Sequence, residues 1–106
     1  MSKRHFTLIY AREVKKQLQV IERKYYALIR NEIEAQLQFE PDVETRNRKP
    51  LKRTVVFEAE WEVRFGPNNR FRVFYEIDRE QEKVYILAIG VKEGNRLVIG
   101  GEEVEL

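Results

Sequence analysis

At 106 residues, 42% of them hydrophobic, the chain has room for one folded domain around one modest core, and its length argues against a second. It contains no cysteine and a single histidine, which excludes a disulfide scaffold, thiol catalysis, zinc sites built on thiolates and multi-histidine metal centres. No apolar run approaches the length that spans a bilayer, and Met-Ser-Lys-Arg-His is not followed by a signal-type apolar segment, so a cytoplasmic protein with no membrane partner is expected.

The first element is "HFTLIY", residues 5 to 10, rich in β-forming side chains and read as a strand. From Ala11 to Phe39 there is neither glycine nor proline, and strong helix formers dominate. Val14, Leu18, Ile21, Tyr25 and Leu28 recur at spacings of three and four, and Tyr26, Ile29, Ile33 and Leu37 form a second stripe beside them. A single helix of that length would overrun a small sheet. A break near Arg23 or Lys24, giving a helical hairpin, is therefore the more economical packing.

"EPDVETRNRKP", residues 40 to 50, is polar and bracketed by Pro41 and Pro50, and reads as a loop. Strands are expected at about 59 to 65, 70 to 77 and 83 to 91, with Arg79 to Glu82 turning the last pair. "KVYILAIGV" is apolar on both parities, which suggests a central strand covered on both faces and leaves its register undecided. Gly94-Asn95 makes a turn before a short extended piece at Leu97 to Ile99. The order β-α-α-β-β-β predicts an α+β domain: an antiparallel meander of about four strands with an N-terminal helical hairpin packed on one face.

Charge is concentrated in the middle of the chain. The net value is only +2, yet from Arg46 to Arg72 eight cations (Arg46, Arg48, Lys49, Lys52, Arg53, Arg64, Arg70, Arg72) face three anions (Glu58, Glu60, Glu62). Such a balance fits either a polyanion partner or a merely solvated surface. Within it lies "WEVRFGPNNRFRVFY", two strands around a Gly-Pro-Asn-Asn turn. For Trp61, Val63 and Phe65 to bury with Phe71, Val73 and Tyr75, Phe65 must oppose Phe71 and Val63 must oppose Val73. That register sets Arg64 directly across from Arg72, a like-charge pair costing a few tenths to about 1 kcal/mol. Either a neighbouring carboxylate such as Glu62 or Glu76 offsets this, or the pair awaits an anion.

The N-terminal strand and helical segment, "NRKPLKR", "WEVRF…RFRVFYEID" and "YILAIGVKEGNR", taken in that order and spacing, resemble toxins of the RelE/ParE superfamily from toxin-antitoxin systems. The resemblance covers nearly the whole chain. Its RelE-like branch, the preferred likeness, implies a ribosome-dependent endoribonuclease (an mRNA interferase) that needs neither metal nor other cofactor. The ribose 2′-hydroxyl attacks the adjacent phosphate, and the enzyme must move two protons and stabilise the phosphorane. Arginine suits the last task because its planar fork grips two phosphate oxygens.

Carried over by position, the resemblance places the phosphate-gripping arginine at Arg72, a supporting cation at Arg64 and another at Lys92. Glu62 stands where RelE itself has a lysine, Val98 where several catalytic members have a tyrosine or histidine, and Lys49 where one catalytic branch has a carboxylate. Glu62 is either a general base or a counter-charge for the arginines. Arg46, Arg48, Lys49, Lys52, Arg53 and Arg70 are the candidate RNA-binding cations. The resemblance implies a cognate antitoxin, with the ribosome and mRNA as targets. The alternatives are a ParE-like inhibitor of DNA gyrase and a catalytically degenerate binding module of the same fold.

Overall fold

The computed structural model describes residues 4–52 and 58–104. Strand β1 (Thr7–Tyr10) leads into helix α1 (Arg12–Gln19), a single 3₁₀ turn at Arg23–Tyr25, and helix α2 (Tyr26–Leu37). Strands β2 (Arg48–Pro50), β3 (Trp61–Phe65), β4 (Phe71–Asp78), β5 (Lys83–Glu93), β6 (Arg96–Ile99) and β7 (Glu102–Val104) follow. They form one sheet of order β2-β3-β4-β5-β6-β7, antiparallel throughout that path, while β1 pairs in parallel with β5. The expected α+β class and helical hairpin are present. The sheet is wider than four strands, because the polar loop contributes β2 and the chain end contributes β7. Among the described residues no helix is long and apolar enough to cross a membrane.

The helix break falls at Val20–Glu22, just before the predicted position, and the 3₁₀ turn restarts the chain as α2. Val14 of α1 and Ile29, Ile33 and Leu37 of α2 bury against Val63, Phe65, Phe71, Val73, Tyr75, Val84, Ile86 and Ile89 of the sheet. The hairpin register is the one its apolar parity requires: Val63 pairs with Val73, Phe65 with Phe71, and hence Arg64 with Arg72.

β5 answers why "KVYILAIGV" is apolar on both parities. Phe74 and Tyr75 are consecutive in β4, but their partners are Ala88 and Ile86, so Leu87 is an extra residue in a β-bulge. Before the bulge Val84 and Ile86 face the helices; after it Ile89 and Val91 do, the parity having switched. Ala88 instead joins Phe74, Ala59, Leu97 and Ile99 in a second, smaller cluster on the opposite face. That face is called the outer face below.

β1 and β6 occupy the same edge of β5, one after the other, at Lys83–Ile86 and Gly90–Glu93. Between them the Ile89 N–H has no strand to bond, and the buried side chain of Gln17 fills the gap, its Oε1 accepting that N–H at 2.8 Å. Replacing Gln17 with leucine keeps the volume but removes the acceptor. Gln17→Leu is expected to lower the unfolding free energy by about 1–3 kcal/mol, whereas the exposed Gln19→Leu should change it by less than ~0.5 kcal/mol; urea denaturation of both variants checks the difference.

Candidate nucleic-acid interface

Cross-strand partners share a face, so the sheet registers place the basic side chains without ambiguity. Along one rung of the outer face Arg64 of β3 lies beside Arg72 of β4, which lies beside Gly90 of β5. On the next rung Lys49 of β2 lies beside Glu62 of β3. Lys92, two residues beyond Gly90, emerges on the same face, and its backbone N–H donates to the Arg70 carbonyl at 2.7 Å. The structure therefore brings Arg64, Arg72, Lys92, Glu62 and Lys49 together.

Gly90 matters to this rung because a Cβ there would meet Ile99 Cγ1 at 2.8 Å and Leu97 Cδ1 at 3.1 Å. Without it, the apolar side chains of β6 lean over β5 and form a shelf beside Arg72.

The facing arginines are held by Glu62. Arg64 Nε donates to its Oε1 at 3.1 Å and Arg72 Nη1 to its Oε2 at 3.4 Å. Glu62 and Arg72 are both buried, whereas the Arg64 side chain remains 41% exposed. Arg72 Nε also donates to the Asn69 carbonyl at 3.2 Å. Burial lowers the Arg72 pKa from its ordinary value, the charge of Glu62 opposes that shift, and Arg64 reinforces it. Among the described residues Arg72 Nη2 has no hydrogen-bond partner, yet it is not a buried orphan. Arg72 borders two hollows: one of about 430 Å³ shared with Lys92, Asn95 and Leu97, and one of about 450 Å³ shared with Lys92, Arg70 and Pro67. A guest anion can reach this arginine from either.

The other predicted cations are distributed differently. Arg70 lies at the end of the hairpin turn, its guanidinium 5.5 Å from the ring centres of both Tyr25 and Phe71. Arg46 and Lys52 are exposed along the β2 side of the sheet. Arg48 is not part of the outer face. It pairs with Val63, is 5% exposed, and spends its guanidinium on the carbonyls of Val43 and Gln36, each at 2.7 Å. That role is to fasten the end of α2 to the following loop. Arg53 lies outside the described residues. Val98 pairs with Val91 and faces the helix side, so position 98 contributes nothing to the outer face.

Sequence reasoning did not find Asn69. Its carbonyl holds Arg72, and its side-chain amide donates to Asn47 Oδ1 at 3.1 Å, tying the basic loop to the hairpin turn. Asn68 and Asn69 both have positive φ, at 54° and 51°. The signal was the Asn-Asn pair itself, since asparagine tolerates that region better than other side chains.

The family model described as "ParE toxin of type II toxin-antitoxin system, parDE" matches residues 8–95, the hairpin and β5 included. The chain belongs to that toxin family. A comparison with solved structures finds a similar fold in the toxin-antitoxin complex RelBE2 of Mycobacterium tuberculosis, at 24% identity and a TM-score of 0.68 over 83% of this chain and 92% of that one. Comparison with curated proteins gives no match. The β3–β4 hairpin and the Arg64–Glu62–Arg72 cluster thus lie within the matched span of the toxin.

The cluster also makes a stability statement. Glu62→Ala leaves the Arg72 guanidinium buried beside Arg64 with no carboxylate, and is expected to destabilise the toxin by about 2–4 kcal/mol. Arg64→Ala removes a partly solvated partner and should cost about 1 kcal/mol or less. In Glu62→Ala/Arg64→Ala the loss should be smaller than in Glu62→Ala alone, because the facing like charge is gone; chemical denaturation of the three variants checks the order.

Proposed function

We propose that this toxin acts on RNA as a ribosome-dependent endoribonuclease, with Arg72 as its principal phosphate clamp. The observation that carries the reading is the convergence of Arg72, Arg64 and Lys92 on one face, with open hollows on two sides of Arg72. A phosphodiester seated there meets the unpartnered edge of Arg72 and the exposed arm of Arg64, while Lys92 approaches from β5.

In this reading the 2′-hydroxyl oxygen attacks phosphorus and the bond to the 5′ oxygen breaks, leaving a 2′,3′-cyclic phosphate. Glu62, the carboxylate bonded to both arginines, takes the 2′-hydroxyl proton. Arg72 and Arg64 meet the charge that builds on the phosphorane, and Lys92 supplies the proton to the 5′ leaving oxygen. No step calls for a metal. Lys49, beside Glu62, the exposed Arg46 and Lys52, and the half-buried Arg70 hold flanking phosphates, a term that salt weakens steeply. Membership of a toxin-antitoxin family supports a cognate antitoxin as the protein partner.

A second reading, inhibition of DNA gyrase by binding alone, is favoured by a different observation. Both Glu62 oxygens are engaged by guanidiniums, and Val98 faces away, so proton transfer has few candidate groups on the outer face.

Induction of the isolated chain distinguishes the two. The endoribonuclease reading expects new 5′ ends on actively translated messages by primer extension. It also expects Arg72→Ala to reduce that cleavage about a hundredfold or more, with circular dichroism confirming the fold. Growth arrest with trapped gyrase–DNA complexes and no new RNA ends would replace it by the second reading.

A further inference from the structure

Among the described residues a second run of unpaired positive charge lies away from the outer face. Helix α1 buries Val14 and Gln17 and turns Arg12, Lys15, Lys16 and Gln19 outward. At 3.6 residues per turn these four fall within an arc of about 100°, with Glu13 on its flank. Arg23 and Lys24 of the 3₁₀ turn that follows are exposed as well. Among the described residues Arg12, Lys15, Lys16 and Arg23 form no ion pair, whereas Lys24 reaches the exposed Glu22 at 3.5 Å.

A contact links this ridge to the clamp. Tyr25 of the helix break lies between two cations, with Lys24 Nζ at 5.2 Å and the Arg70 guanidinium at 5.5 Å from its ring centre. The Arg70 carbonyl in turn receives the Lys92 N–H, and Arg70 lines one of the hollows beside Arg72. Positive charge therefore runs from the outer face, around the hairpin end, to Lys24 in the turn that follows α1.

From this placement we infer that the α1 ridge is a second RNA-binding surface, which holds the phosphate backbone of folded RNA while the clamp holds the strand to be cut. The inference rests on the RNA reading above and extends it to residues outside the clamp. A protein partner fits the ridge poorly. Protein interfaces anchor on buried aromatic and aliphatic side chains, and the large apolar residue exposed here is Val20, at the end of the stripe. Solvated lysines and arginines without carboxylate partners suit a phosphate backbone, where each contact releases a counterion.

The test compares two probes: purified ribosomes, and a single-stranded RNA oligonucleotide of four nucleotides that is long enough for the clamp alone. In the full chain Arg12→Gln/Lys15→Gln/Lys16→Gln is expected to bind the oligonucleotide within twofold of the unaltered toxin. It should bind ribosomes about tenfold to a hundredfold more weakly near 0.1 M salt, with the slope of log affinity against log salt reduced by roughly two to three. Arg72→Ala should weaken the oligonucleotide instead. Unchanged ribosome affinity in the triple variant, or equal weakening on both probes, overturns the ridge as a separate surface and leaves the clamp standing. If the unaltered toxin binds neither probe, the RNA reading fails and the ridge inference fails with it.

Discussion

Two guanidiniums and one carboxylate at the centre of the outer face set the terms for the rest of the site. The core favours the register that puts Arg64 opposite Arg72, because a one-residue slip would expose one apolar set of the hairpin. The repulsion that follows is offset by Glu62, placed two residues before Arg64 on the same face and bonded to both cations. The same interaction fixes the guanidiniums in space, since a flexible arginine side chain otherwise samples many rotamers. Stability and preorganisation here come from one contact.

Much of the surrounding fold can be understood as giving that rung its shape. The bulge at Leu87 keeps apolar residues of β5 facing the helices along its whole length. It also allows Gly90, rather than a larger residue, to sit beside Arg72. The missing Cβ lets Leu97 and Ile99 close over β5 from the β6 side. Arg72 thus has Arg64 on its β3 side and, across Gly90, the apolar side chains of β6 with Lys92 beside them. Burial lowers its pKa, and the nearby Glu62 charge counters that. The guanidinium stays ionised at cellular pH, because arginine begins so far above it.

The hairpin register, the helical hairpin and the facing arginines were legible in the sequence because each follows from parity or periodicity over several residues. β2 and β7 were not, since three-residue strands carry too little pattern; Pro50 even argued for a loop. The register of β5 was hidden for a definite reason: a bulge switches which parity faces the helices, and Leu87 and Ala88 add apolar cover on the outer face, so both parities read as buried. Arg48 shows the limit of reading charge without geometry. Its neighbours in the basic loop face solvent, but the alternation of β2 turns this one side chain under the sheet, where backbone carbonyls of α2 and the loop claim it. The Asn68-Asn69 pair signalled a positive-φ turn, but not that the Asn69 carbonyl would hold Arg72.

Glu62 does not close the clamp against another anion, because donors are left over. An arginine presents five N–H groups, and Arg72 commits Nε to Asn69 and Nη1 to Glu62. Arg64 commits Nε alone and is open to solvent along much of its length. A phosphodiester carries one negative charge. Together with Glu62 it would place two negative charges among the three positive ones of Arg64, Arg72 and Lys92, a net balance that still favours binding. The guest need not displace the carboxylate. It can add to the free edges of guanidiniums that the carboxylate already holds in position, so the ordering cost of at least one side chain falls before the guest arrives.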